Sequence, residues 1–169
     1  MKLEGTLLVV KDIDASRRFY QDVLFRTVVL DLGVYVVFEG GFCLLTEGQW
    51  AEFLDNKQIP FSYGHNVCQL GFEDDDLDAF LAHFQKFPDI RMLTPLKEYA
   101  WGQRSIRFYD PDGHIIEVGE SMTVVVKRFL RSGLSIEEAM QKSMFPREFV
   151  EMCAKELSGR GGEKREESC

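Results

Sequence analysis

Along this chain the apolar residues follow two spacings that take turns. Residues 6–10 (TLLVV) are apolar over a strand-length run and read as a strand. From about Asp14 the spacing changes. Ala15, Phe19, Tyr20, Val23 and Leu24 form a stripe at i, i+4, i+5, i+8 and i+9, which predicts a helix with one buried face. Asp12 or Asp14 suits its first turn, because a carboxylate there accepts from backbone N–H groups that have no helical partner. Short β-rich runs follow at about 26–31, 34–39 and 41–46, separated by Leu32-Gly33 and Gly40-Gly41. Tight glycine turns of this kind join antiparallel neighbours. The first unit therefore reads β-α-β-β-β.

Residues 47–64 read as a connection with one helical turn at 49–56, and then the order restarts. Residues 65–72 (HNVCQLGF) read as a strand. Asp76 opens a helix with the stripe Leu77, Phe80, Leu81, Phe84, and strands follow at about 90–97, 103–109 and 114–119. Asp110-Pro111-Asp112-Gly113 makes the last turn: proline presets φ, aspartate bonds its own backbone and glycine takes positive φ. The two units start about 60 residues apart and predict an internal duplication. The expected fold class is α+β, with two β-α-β-β-β units (1–46 and 65–120) forming curved, cup-like sheets within a domain spanning 1–120. A helical extension is expected over 121–158. Within it Val125, Val126, Phe129 and Leu130 make a buried stripe, Gly133 stops the helix, Ser135 and Glu138 form a capping box, and Pro146 suits the first turn of a last helix. The end of the chain, 159–169, is small and charged and reads as disordered.

Composition narrows the class of function. The chain has 169 residues and a formal net charge of −8. A surface this acidic repels phosphate backbones, which argues against nucleic acid as a partner. The cadence of GLSIEEAMQKSMFPREFV is helix-turn-helix and the stretch is locally basic, but the net charge favours two helices packed on the body or at a dimer interface. No run reaches the roughly 18 apolar residues of a membrane span, and the N-terminus lacks the pattern of a signal peptide. The four cysteines are scattered without metal-like spacing, and Cys43 and Cys68 sit in strand-like runs as small hydrophobes. A reducing cytoplasm is the expected compartment.

Alternation assigns candidate chemistry to one face. In the second unit Ile106, Phe108, Ile116 and Val118 point to the helices, leaving His65, Gln69, Arg107, Tyr109 and Glu117 on the opposite, concave side. A polar wall on an apolar background suits a small molecule. Glu117 needs a partner there, because an unpaired buried carboxylate is costly; His65, Arg107 or a metal could serve. Burial that raised its pKa would also make Glu117 a usable general acid or base. Trp101, leading into a cavity strand, and Tyr63, Tyr99 and Trp50 could stack on planar ligands or simply pack. His114 is expected to be exposed in its turn and His83 to be solvated surface. In the first unit Gly5, Leu7 and Val9, with Phe42 and Leu44, face the cavity and bring neither imidazole nor carboxylate.

These residues carry a resemblance. VVKDIDASRRFYQDVL resembles the V-x-D-x-x-x-S-x-x-F-Y-x-x-x-L signature of the vicinal oxygen chelate superfamily, which includes glyoxalase I, bleomycin-resistance proteins and extradiol dioxygenases. WGQRSIRFYDPDGHIIEVGE is similar to that superfamily's closing strand pair, and GHNVCQLGFEDDDLDAF falls where its second unit begins. The resemblance covers roughly residues 3–120. It implies a homodimer, a small-molecule ligand, and metal ligands at His65 and Glu117, with Glu117 also catalytic and Gln69, Trp101, Arg107 and Tyr109 contacting substrate. One divalent ion (Ni, Zn, Mn or Fe) would be weakly held, because the matching first-unit positions, Gly5 and about Leu44, cannot ligate. Three functions stay open: a metal-dependent lyase, isomerase or dioxygenase; a metal-free protein that sequesters a drug or toxin; and a ligand-responsive regulator acting through its helical tail.

Overall fold

Asp12 opens the first helix, its side chain accepting from the Ala15 N–H at 2.9 Å. That choice fixes which residues of α1 (Ile13–Asp22) turn inward, and Ser16 and Tyr20 become fully buried. Preceding α1 is β1 (Thr6–Val10), and β2 (Val28–Asp31), β3 (Tyr35–Phe38) and β4 (Phe42–Thr46) follow it. The four strands form a sheet in the order β1-β4-β3-β2, with β1 parallel to β4 and the other pairs antiparallel. The connection carries α2 (Glu47–Phe53), capped by Thr46, in place of the single turn expected at 49–56. A second sheet, β5-β8-β7-β6, repeats the same strand order with β5 (Gln69–Asp74), β6 (Met92–Glu98), β7 (Arg104–Tyr109) and β8 (Ile115–Glu120). Its helix α3 (Leu77–Phe84) lies between β5 and β6 in sequence, so the chain is α+β with the β-α-β-β-β order used twice.

The computed structural model describes residues 1–2, 5–55, 60–64 and 66–159. His65 and the charged end from residue 160 lie outside the described residues. The chain divides into two compact units: Met1–Leu70, Leu81–Leu93 and Phe108–Ile116 form one, and Gly71–Phe80, Thr94–Arg107 and Glu117–Cys169 the other.

The first unit is centred on Tyr20. Its ring meets Phe19 at 5.3 Å, Phe38 at 5.6 Å and Phe42 at 5.1 Å between centroids, all within the range of favourable aromatic pairs. The parallel register corrects one face assignment. Thr6, Leu8 and Val10 sit level with Phe42, Leu44 and Thr46, whereas Leu7 and Val9 sit level with Cys43 and Leu45. Phe42 and Leu44 therefore face α1 with the core residues Leu8 and Val10, and Leu45 takes the face expected for Leu44. A one-residue offset moves a side chain to the other side of a sheet. The edge strand β2 leaves Val29 and Leu30 exposed, as are Leu32 and Val34 just beyond it.

In the second unit the chain after β8 folds into α4 (Met122–Arg131), α5 (Ile136–Ser143) and α6 (Arg147–Gly159). Ser135 and Glu138 form the expected capping box, and Met144 ends α5 in the left-handed region. Met122, Val125, Val126, Phe129, Ala139, Val150 and Cys153 make one buried cluster, with Trp101 and Leu130 packed against it. Gly102, at φ +85°, admits this packing: a Cβ there would overlap the Phe129 ring. At the end of β8, the Glu120 carboxylate is 2% exposed and accepts from Arg104 at 2.8 Å and Arg128 at 2.7 Å. Burial alone would raise its pKa, but the two guanidiniums hold it below the usual carboxylate value. The pairing thus contributes stability above the unfolded pKa and loses it as pH falls through the lower folded one.

Because Phe129 is buried at the centre of this helical cluster, Phe129→Ala is expected to cost about 3–5 kcal/mol through lost burial and a cavity. Urea denaturation reads this directly, and a loss below about 1 kcal/mol would contradict a packed extension.

Candidate functional site

Two side-chain groupings carry the chemistry, one in each unit. In the first unit the Asp110-Pro111-Asp112-Gly113 turn is held by its own backbone: Gly113 N–H donates to the Asp110 carbonyl at 3.1 Å, and Gly113 sits at φ +87°. The turn aims two carboxylates inward. Asp110 Oδ1 accepts from the N–H groups of Asp112 at 3.0 Å and His114 at 2.8 Å. Its Oδ2 accepts from the Tyr20 hydroxyl at 2.9 Å and meets His114 Nδ1 at 2.7 Å. Asp112 accepts from Ser16 Oγ and from the Lys11 N–H, both at 3.2 Å. The two aspartates thus fasten the turn to both ends of α1 through contacts about a hundred residues apart in sequence.

This corrects the expectation for His114. The imidazole is 20% exposed and its Nδ1 is bonded to a carboxylate that is fully buried. Oδ2 already accepts from Tyr20, so Nδ1 carries a proton and Nε2 is the nitrogen that titrates. Burial alone would lower the pKa of His114. The Asp110 carboxylate outweighs that and raises it above the ordinary value, with Asp112 adding to the effect. His83 is also corrected: it is half-buried, with a ring nitrogen 2.7 Å from the Asp22 carbonyl and its ring against Phe25 at 4.3 Å.

A cavity of about 880 Å³ opens beside this turn. Its aromatic walls are Phe19, Tyr63, Phe87 and Tyr109, and Lys86 and Arg91 are its cations. The Arg91 guanidinium lies 3.8 Å from the Tyr109 ring centroid, and the Tyr109 hydroxyl donates to Asn66 at 2.9 Å. Tyr63 donates to Glu47 at 2.6 Å beneath the Lys11 ammonium, and burial followed by the Glu47 hydrogen bond pushes its pKa up. A smaller cavity of about 320 Å³ shares Tyr63, Gly64 and Gly113 with the first and is otherwise lined mainly by apolar side chains and His114.

The second grouping lies in the other unit. Glu117 Oε1 accepts from Arg107 at 2.6 Å and from Ser105 Oγ at 2.9 Å, with the carboxylate side chain 17% exposed. Arg107 also donates to the Tyr99 hydroxyl, and Tyr99 stacks on Trp101 at 4.6 Å and 15°. Trp101 Nε1 donates to Gln103 at 3.1 Å while its ring packs on the helical cluster. The structure thus brings Glu117, Arg107 and Trp101 into one connected grouping, whereas Tyr109 belongs to the cavity of the first unit. Gln69 is exposed at the first position of β5. That strand begins at Gln69 and not at 65: Asn66 and Val67 lie in a turn and Cys68 is exposed ahead of the strand, so Cys68 is not a core hydrophobe.

Sequence reasoning passed over Asp110, Arg91 and Lys86. The signal available was the tyrosine on the buried stripe of α1 together with a histidine four residues after an aspartate. Among the described residues no group of three or more His, Cys, Asp or Glu side chains could hold a metal ion, and no helix is long and apolar enough to cross a membrane.

The Asp110–His114 pair predicts a pH signature. A group whose folded pKa is raised stabilises the fold fully below its unfolded value, near 6.5, and loses that contribution as pH rises through the folded value. His114→Asn, which keeps a donor toward Asp110, is expected to remove this component. Urea unfolding of the two proteins across the neutral range should therefore show wild type losing stability relative to the variant as pH rises. Parallel curves would contradict the charge-assisted pairing.

Comparison with known proteins agrees with this architecture. Residues 3–123 match the model of a glyoxalase-like domain. A solved protein of unknown function from Agrobacterium tumefaciens C58 is 39% identical with a TM-score of 0.66, the alignment covering 72% of this chain and 94% of that one. A lactoylglutathione lyase from Agrobacterium tumefaciens is 27% identical with a TM-score of 0.54, over 72% and 94% of the two chains. A glyoxalase/bleomycin resistance protein/dioxygenase family enzyme from Burkholderia phytofirmans PsJN shares the fold at a TM-score of 0.59 and 12% identity, over 71% and 98%. Helices α5 and α6 lie beyond the family match. With the signature on α1, the twice-used strand order and the domain match over most of its length, this chain belongs to the glyoxalase-like family of the vicinal oxygen chelate superfamily.

Proposed function

We propose that this chain binds a small organic molecule without a metal, as a sequestering protein does. The donor set argues for this. Of the four positions where the superfamily places metal ligands, Gly5 has no room for any side chain, because a Cβ there would overlap the Gly41 carbonyl oxygen. The position on β4 facing the same way as Val9 is Leu45, which is apolar and fully buried. Glu117 Oε1 is already held by Arg107 and Ser105. His65 lies outside the described residues, and one imidazole makes too sparse a set for a divalent ion. The described residues do not fit the metal.

The observation that carries the reading is the cavity of about 880 Å³, a volume within the roughly 300–1,000 Å³ of ligand pockets. Its lining suits a planar or aromatic compound. Phe87 and Tyr109 offer ring surface, and the Arg91 guanidinium stacked on Tyr109 presents donors and positive charge at the wall. Asp110 and Asp112 also line it, but their carboxylates are spent on Tyr20, His114, Ser16 and backbone N–H groups, so they serve the wall and not the ligand.

Anilinonaphthalene sulfonate, an aromatic anion whose fluorescence rises on binding, is a direct probe. Saturable binding is expected, unchanged by EDTA or by added Ni, Zn, Mn or Fe(II), and weakened about tenfold by Tyr109→Ala or Phe87→Ala, the loss of about one aromatic contact. Binding that appears only after metal is added would favour the metal-dependent enzyme, and binding that ignores both substitutions would move the site elsewhere.

A further inference from the structure

The smaller cavity, of about 320 Å³, has a character the larger one lacks. Leu7, Leu8 and Val9 of β1 line it together with Phe61, Val67 and Cys68. His114 is the ionisable ring at its edge, and the Tyr63 ring stands edge-on to the imidazole at 6.3 Å between centroids. The Nδ1 edge of His114 is used up by Asp110. Asp110 is in turn fixed by Tyr20 and by two backbone N–H groups, so the imidazole has one orientation. Among the described residues Nε2 has no hydrogen-bond partner. The imidazole is thus fastened at one edge, and the residue lines a cavity whose other walls are mainly apolar. A protonated imidazole beside apolar side chains favours an anion that brings its own apolar body, because the body gains burial while the charge gains a partner.

We infer that the Asp110–His114 pair and the apolar cavity beside it form a site for an apolar weak acid, its carboxylate or phenolate accepting from His114 Nε2–H and its alkyl or aryl body lying against Leu7 and Val9. This deepens the reading of the chain as a metal-independent binder and rests on it. Asp110 does for the imidazole what a carboxylate does for any histidine that must stay charged near neutrality: it fixes the tautomer and stabilises the imidazolium. Binding of such an acid therefore follows the charge of His114. It is strong while the ring is protonated and fades as pH rises through the pKa of His114. Among the described residues, the other titratable and charged groups at this cavity and turn include Asp110 and Asp112, Tyr63 with its partners Lys11 and Glu47, and the Cys68 thiol. Burial and the Glu47 hydrogen bond push Tyr63 upward, away from the neutral range. The test is run in a Cys68→Ser background, which removes the thiol from the cavity lining.

The experiment compares octanoate with octanol, an anion and a neutral molecule of the same apolar body, by calorimetry from about pH 6 to about pH 9. The Kd of octanoate is expected to rise about tenfold per pH unit above the His114 pKa, while that of octanol stays level. His114→Asn should flatten the octanoate profile and leave octanol unaffected. By linkage, saturating octanoate should also raise the pKa of His114 measured by the NMR shift of its Cε1–H, which a purely structural imidazole would not show. Octanoate and octanol binding with one common, level profile would overturn the inference while leaving the chain a binder of small molecules. So would His114→Asn retaining the slope. If neither compound binds while anilinonaphthalene sulfonate still does, the inference fails and the reading of the larger cavity stands.

Discussion

The buried carboxylate of Asp110 is the constraint on which the candidate site depends. A charge taken out of water must be met by donors on every side, or its burial costs several kcal/mol. Here four donors converge on two oxygens: the Tyr20 hydroxyl, the His114 ring and the N–H groups of Asp112 and His114. Satisfying one aspartate thereby fixes the depth of α1, the shape of the turn after β7 and the direction of an imidazole. Asp112 repeats the arrangement with Ser16 and Lys11, so the turn is fastened at two points. The walls shared by the two cavities, Tyr63, Gly64 and Gly113, lie on or beside this anchored turn.

A second buried carboxylate plays the corresponding part in the other unit. Glu120 ends β8 and is held by Arg104 of β7 and Arg128 of α4, which joins the helical extension to the strands it follows. The extension is therefore a packed element with its own apolar cluster, to which Trp101 contributes from the loop before β7. Glu117, three residues earlier on β8, is paired differently, with Arg107 and Ser105. Two carboxylates on one strand thus serve two ends, one fastening a helix and the other closing an ion pair with β7.

Much of this was legible from residue order alone. Strand β1, the cap on α1, the Asp-Pro-Asp-Gly turn and the Ser135–Glu138 box follow from local chemistry, and the structure has each where that chemistry puts it. Features decided by long-range pairing were not. The face of Leu44 depends on the parallel register of β1 and β4, which alternation within one strand cannot supply. His114 reads as solvent-exposed because its turn is polar. What turns it inward is Tyr20, 90 residues from Asp110 along the chain. The residues expected to contact substrate lie apart for the same reason: Tyr109 lines the larger cavity, while Arg107 meets Glu117 and Tyr99 through tertiary contacts that spacing does not encode.

The central claim is that Asp110 both buries its charge and holds His114 protonated. The most direct measurement is the pKa of His114, followed by NMR in wild type and in Asp110→Asn, which keeps the shape and removes the charge. Wild type is expected to show a value above the ordinary 6.5 or so and the variant a clearly lower one, because burial is then opposed only by the more distant charge of Asp112. A value that is the same in both proteins would contradict the account.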